Sequence, residues 1–295
     1  MSQFGALGAA LKGWDYKKIL EFYYPGAKVV KYTEVQTLNV DGYGSMSIEN
    51  YVAGAGEIPD YSCEDLEIEF DHNNIWKCWP KEAIKAQVVA FRTYGLNKTK
   101  GGSSICTTAR CQVYKGGENK RWAAEETESM VVVYGGEPIS AFYSSDNHNG
   151  WGTANNDTVW SNFEGEGVPE PYLRAVNDKA IAYKYTYTEW TWRTNGYSIE
   201  DIDGMLNWSM SSNQASDKYR TFITDLKSSI GELKGLEFER DPSGRVNKVK
   251  LIGSSKSRYM AGWLFKSLWN IWIGNEKPSG EEDYIYSLTY YMKVK

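Results

Sequence analysis

The sequence predicts an α+β fold, with mainly antiparallel sheets and packed helices in one large domain or two lobes. Three observations carry this reading. Amphipathic helical segments alternate with short strand-like ones along the chain. Two strand pairs are joined by short turns, around Gly135-Gly136 and across Asp241-Pro242-Ser243-Gly244. At 295 residues the chain exceeds the usual size of one domain, and it carries no repeat or low-complexity tract.

Taken in order, Ser2 to Leu11 is small and apolar, with Gly5 and Gly8 weakening the helix it predicts. Asp15 caps a second helix whose residues Tyr16, Ile19, Leu20, Tyr23 and Tyr24 share one face, and Pro25-Gly26 stops it. Five apolar side chains on one face are too many to leave in water, so this opening should pack with the rest of the chain, near the C-terminal strands at 284–294. Val29 to Tyr32 reads as a strand, and Ser47 starts a short helix that frays at Gly54 and Gly56. The clearest helix follows Pro80, with Ile84, Val88, Phe91 and Gly95 on its buried stripe and Lys81, Lys85 and Arg92 on another. Lys120 to Glu128 predicts a helix, and Met130 to Tyr134 with Ile139 to Ser144 a β-hairpin. Asn147 to Asp157 is a loop by composition, and Tyr183 to Trp192 favours strand. Two helices, 199–210 and 217–230, precede paired strands at 236–240 and 246–252.

Composition narrows the function. The net charge of −5 argues against a nucleic-acid groove or a polybasic membrane patch. Apolar runs such as Met130 to Tyr134 are too short to span a bilayer, and no charged-then-apolar leader opens the chain. With only His72 and His148, a three-histidine zinc site is excluded. The 12 Trp and 22 Tyr outnumber 9 Phe, a content suited to half-wet surfaces and to stacking on sugar rings. Cys63 with Cys78 and Cys106 with Cys111 form two local pairs, as in a disulfide-bonded exported protein. The rival reading is metal, for which the gap between Cys106 and Cys111 is wider than a zinc ribbon uses.

Four blocks together resemble the stage II sporulation protein D family, including its amidase-enhancer relatives. They are Tyr51 to Pro59 followed by Trp79 to Tyr94; Cys111-Gln112-Val113-Tyr114 with Gly116; Thr127 through Gly135-Gly136 to Ser145; and Arg240 to Val246. They run in family order across about residues 46–270. The opening Met1 to Ala6, continuing to Tyr23-Tyr24-Pro25-Gly26, resembles what closes the family's domain, which implies a circular permutation. The resemblance thus implies a permuted helical segment, 1–32, packed on a main domain, 40–295. The family's Gly-His-Gly-Val-Gly run is missing before Met1, which implies a chain that begins inside a longer precursor.

The resemblance implies a peptidoglycan lytic transglycosylase, located outside the cell or in its envelope. Such an enzyme needs one carboxyl group, first acid and then base, to leave a 1,6-anhydro sugar. An ordinary glycosidase needs two carboxyls about 5 to 9.5 Å apart. Glu57 matches the catalytic glutamate, and its neighbours Gly54, Gly56, Ile58 and Pro59 form an apolar setting of the kind that keeps an acid protonated. Lys85, Arg92, Tyr143 and Ser145 match residues that hold substrate in the cleft. The implied partners are peptidoglycan glycan strands and an amidase or other cell-wall proteins, with no cofactor. No histidine stands before Cys106 where zinc-binding members carry one, so disulfides are favoured over zinc. Asp146 to Thr153 replaces the family's shorter turn, so substrate contacts there differ. Two other functions compete: a non-catalytic amidase enhancer or peptidoglycan-binding module that keeps the cleft without chemistry, and a two-carboxylate hydrolase pairing Glu57 with Asp146 or Asp157.

Overall fold

A computed structural model of the protein describes residues 1–100, 102–144, 152–183, 192–193, 196–276, 284–285 and 290–291. Two separate clusters of buried apolar side chains divide it into two compact units. The first comprises 1–153 with 171–186, and the second 154–170 with 187–295. The opening segment shares its apolar cluster with everything up to Ala141, and the boundary between the units falls near residue 153.

In the first unit, α1 (Gln3–Leu11) and α2 (Tyr16–Tyr23) start where the sequence places caps. Ser2 Oγ accepts the Gly5 N–H at 2.9 Å, and Asp15 Oδ1 accepts the Lys18 N–H at 2.7 Å. The glycines that weaken α1 are positions of close approach: a Cβ on Gly5 would lie 1.7 Å from the Tyr23 hydroxyl. The opening segment packs on the long helix at 81–99, and the strands at 284–294 expected as its partner lie mostly outside the described residues.

Next come β1 (Lys28–Lys31), β2 (Thr37–Val40) and β3 (Gly44–Ser47), then α3 (Ile48–Ala53), capped by Ser47. The β2–β3 hairpin turns through Gly42 and Gly44, both at positive φ; the Asp41-Gly42 dipeptide is the sequence signal for it. Strands β4 (Tyr61–Ser62) and β5 (Cys78–Trp79) are held by the Cys63–Cys78 disulfide. They lead into α4 (Lys81–Thr99), whose first N–H is accepted by Glu64 from the loop the disulfide closes. β6 (Ser104–Ile105) pairs with β2, and α5 (Arg121–Glu126) packs on α3 and α4.

β7 (Met130–Tyr134) pairs antiparallel with β1 and with β8 (Glu137–Pro138). The expected second arm, 139–144, is not a strand. Pro138 has no N–H to carry the ladder on, and after one bond from Ile139 N to Val132 O the chain turns to the opening segment. There Gln3 N–H bonds Ser144 O at 2.8 Å and Ser144 N–H bonds Met1 O at 3.0 Å.

The second unit holds α6 (Asn156–Val159), β9 (Trp192–Arg193), α7 (Ile199–Ser211), α8 (Asp217–Ile230), β10 (Leu233–Arg240), β11 (Val246–Gly253), β12 (Ser257–Ala261), α9 (Gly262–Glu276) and β13 (Tyr290–Tyr291). A capping box of Ser198 and Asp201 starts α7, and Gly231 at positive φ ends α8. Buried Val249 and Leu251 alternate with half-exposed Lys248 and Lys250, so α7, α8 and α9 cover one face of the antiparallel β10-β11-β12 sheet. The Asp241 turn does more than reverse the chain. Asp241 Oδ1 accepts from Ser243 and the Arg245 N–H, while Oδ2 takes Thr158 Oγ1 at 3.0 Å and so fastens α6. The strand expected at 183–192 falls mostly outside the described residues, with only its end, Trp192, in β9. β12 and α9 have no counterpart in the sequence reading. The architecture is α+β, with antiparallel pairing in the two largest ladders and parallel pairing in the short β2–β6, β4–β5 and β9–β13 pairs. Among the described residues no helix is long and apolar enough to cross a membrane.

Candidate functional site

The first unit contains a cavity of about 310 Å³ lined by Gln3, Glu57, Tyr94, Ala109, Cys111, Phe142, Tyr143 and Ser144. Each wall comes from a different element. Gln3 is on α1, Tyr94 on α4, and Phe142 to Ser144 on the segment that pairs with the opening. Ala109 and Cys111 belong to a short loop closed by the Cys106–Cys111 disulfide. All four cysteines are therefore paired, as the sequence favours, and a thiolate zinc site is not formed.

Glu57 sits on a loop that behaves as a short strand against residues 113–115. Gly56 N–H bonds Val113 O at 3.0 Å, Lys115 N–H bonds Gly54 O at 3.0 Å, and Glu57 Oε1 accepts the Val113 N–H at 2.6 Å. Gly54 permits this approach, since a Cβ there would meet the Tyr114 ring at 2.4 Å. The loop is fastened on both sides by Lys120, a residue the sequence reading did not single out. Its fully buried ammonium donates to Ala55 O at 2.7 Å and pairs with the Asp60 carboxylate. Burial pushes the Lys120 ammonium below its ordinary pKa, against the opposing pull of Asp60. Removing that charge leaves Asp60 with the Asn119 amide but without its counter-charge, and the Ala55 carbonyl without the Lys120 donor. Lys120→Met is expected to cost about 3 kcal/mol of stability and to raise amide exchange at Gly56; unchanged urea denaturation and exchange would refute this clamp.

Tyr143 lies beside Glu57, and its hydroxyl donates its one proton to Gln112 Oε1 at 3.1 Å. Burial first, and then the Glu57 charge, push the phenol well above its ordinary pKa, so it stays a neutral hydroxyl. Gln112 is itself fixed, its Nε2 donating to Tyr51 Oη at 2.7 Å and Phe91 O at 2.9 Å. This Glu57–Tyr143–Gln112–Tyr51 chain is the polar side of the cavity. Tyr94 and Phe142, with ring centroids 5.5 Å apart, are the apolar side. Gln112, Tyr94 and Phe142 all lie inside the motif blocks of the sequence, but nothing in the sequence aims them at one point.

Of the residues expected at the site, the structure brings only Glu57 and Tyr143 together. Ser145 lies outside the described residues. Lys85 is not at the cavity: it bridges Glu82 at 3.0 Å and Glu126 at 2.7 Å. Burial acts to lower its pKa, but the two carboxylates outweigh burial and raise it. Arg92 is fully buried, its guanidinium gripping both oxygens of Glu49 and three further acceptors on α5, Thr127 and β7. Neither side chain lines the Glu57 cavity; both tie helices together. The reason is that α4 is covered on nearly every side, so its basic stripe is enclosed as well. Asp157 belongs to the second unit, and Asp146 lies outside the described residues. Among the described lining residues Glu57 is the one carboxylate.

The family model described as SpoIID, stage II sporulation protein, matches residues 72–134. The chain is 30% identical to the amidase enhancer of Bacillus subtilis (strain 168), over 66% of this chain and 32% of that protein. It is 28% identical to an uncharacterised protein of Brachyspira hyodysenteriae (strain ATCC 49526 / WA1), over 73% of this chain and 53% of that protein. The chain thus spans about a third and about half of the lengths of these relatives. No solved structure matches it.

These matches correct the enzymatic reading. The relative that carries a functional name is an amidase enhancer and not a lytic transglycosylase, so neither the transglycosylase activity nor the description of the chain as a lyase stands. A cleft persists in a fold whether or not it does chemistry. In the cavity Glu57 accepts the Val113 N–H and has the Tyr143 hydroxyl beside it, an arrangement that holds a carboxylate in place as an acceptor. The chain is thus homologous to the stage II sporulation protein D family, by the family match at residues 72–134 and by its similarity to the amidase enhancer.

Proposed function

We propose that the chain is a non-catalytic module of the amidase-enhancer type, which binds peptidoglycan outside the cytoplasmic membrane and presents it to a cell-wall amidase. The observation that carries this reading is the cavity itself. One side is aromatic and the other is a row of fixed acceptors and donors, which suits the apolar faces and polar edges of a cell-wall saccharide or its attached peptide. The two disulfides fit an oxidising compartment, and the named relative supplies the amidase partner.

The experiment is co-sedimentation of the purified chain with peptidoglycan sacculi, with the supernatant analysed by mass spectrometry. The chain should pellet with sacculi and release no soluble fragments, and it should raise the rate of an added cell-wall amidase. Glu57→Gln should weaken co-sedimentation about tenfold or more, because a charged acceptor is replaced by a neutral amide of the same shape. Failure to pellet, or fragments released without any amidase, would overturn the proposal.

A further inference from the structure

Glu57 faces a cavity in which no ion pair among the described residues neutralises it. Its carboxylate accepts from the Val113 N–H and has the neutral Tyr143 hydroxyl beside it. Two lysines lie near the loop and the cavity wall, and neither forms an ion pair with Glu57. The aliphatic stem of Lys115 runs past Gly56, where an added Cβ would meet its Cγ at 2.6 Å. The Lys98 ammonium lies 5.5 Å from the centre of the Tyr94 ring and 5.8 Å from that of Phe142. Lys120, the fully buried cation of this loop, is taken up by Asp60 and Ala55 O.

The remaining lining groups do not substitute for a counter-charge. Tyr94, Phe142 and Tyr143 present aromatic rings, and ring faces attract cations; Lys98 already uses this wall in that way. A half-buried carboxylate beside aromatic rings, with no ion pair of its own among the described residues, attracts a positively charged guest, as the same rings already attract Lys98. A neutral sugar hydroxyl would satisfy the hydrogen bond but leave the charge uncompensated.

We infer that the Glu57 cavity takes a primary ammonium group of the cell wall, with Glu57 as its counter-ion and the Tyr94 and Phe142 rings as its walls. This rests on the peptidoglycan-binding reading above and names the part of peptidoglycan that is read. Two cell-wall sources share that chemistry: the free amino group of a diamino-acid residue in a stem peptide, and a glucosamine lacking its acetyl group.

The test compares sacculi before and after exhaustive N-acetylation with acetic anhydride, which removes ammonium groups and leaves the glycan and peptide skeleton in place. Binding of the wild-type chain should fall about tenfold or more on acetylated sacculi. Glu57→Gln should bind untreated sacculi as weakly as the wild type binds acetylated ones, and acetylation should weaken that variant no further, because the two changes remove one interaction. A third arm uses sacculi stripped of stem peptides by an amidase. Loss of binding there assigns the ammonium to the stem peptide, and retained binding that acetylation still abolishes assigns it to glucosamine. Equal binding to acetylated and untreated sacculi would overturn the ammonium assignment and leave peptidoglycan binding standing. Additive losses from the substitution and from acetylation would also overturn it, by placing the ammonium elsewhere. Binding to neither preparation would overturn both readings.

Discussion

Deletion of residues 1–26 is expected to unfold the first unit. Leu7, Ile19, Leu20 and Tyr24 are fully buried in this segment, and Phe4 and Tyr23 nearly so. Each side chain of this class contributes about 1.5 to 3 kcal/mol on burial. Six of them amount to about 9 to 18 kcal/mol, comparable with the 5 to 15 kcal/mol that a whole domain has in hand. The deletion also strips the face of α4 on which α1 and α2 pack, and takes away the Tyr23 hydroxyl that donates to buried Asp178 at 2.7 Å. Near-ultraviolet circular dichroism of the truncated chain should show lost tertiary packing, or the protein should be recovered only as aggregate. A truncated chain that is soluble and melts with the full-length profile would mean that the segment is a tail.

Replacing Arg92 by methionine should be the most damaging single substitution discussed here. Its guanidinium bonds Glu49 at 3.1 and 2.5 Å, Ala124 O at 3.2 Å, Met130 O at 3.1 Å and Thr127 Oγ1 at 3.3 Å. One side chain thereby joins α3, α5 and β7 to α4. Removing it leaves Glu49 without a counter-charge and two backbone carbonyls without this donor, a loss of about 3 to 5 kcal/mol. Arg92→Lys should recover little, because a single ammonium cannot reach acceptors spread around a planar fork. Urea denaturation of the three proteins checks this. A variant of normal stability that has lost peptidoglycan binding would instead restore Arg92 to the cleft, where the family resemblance places it.

The helices that the sequence predicts are those whose causes are local. Asp15, Ser47 and Ser198 each accept an N–H three residues on, and the apolar spacing of Tyr16 to Tyr24 needs no distant partner to be recognised. The two disulfides are legible for the same reason, since each closes a short loop. Where a distant partner decides, the sequence reading goes astray. The arm 139–144 has strand composition, yet its backbone bonds are claimed by Met1 and Gln3 more than a hundred residues earlier in the chain. Lys85 and Arg92 have the spacing of a basic stripe, and only the enclosure of α4 by α2, α3, α5 and β7 turns that stripe into buried ion pairs.

The sequence by itself carried the family resemblance, the α+β class, the cysteine pairing and the place of Glu57 in its motif. All four rest on residue order or on spacings within one block. The tertiary structure decided what surrounds Glu57. Lys120 clamps the loop from 63 residues down the chain, Gln112 and Tyr143 arrive from two other blocks, and the aromatic wall joins α4 to the segment beside Ser144. The sequence carries a carboxylate and its motif to one position. Whether that carboxylate transfers a proton or holds a cation depends on the groups folded against it, and those are set by packing between segments that lie far apart in the chain.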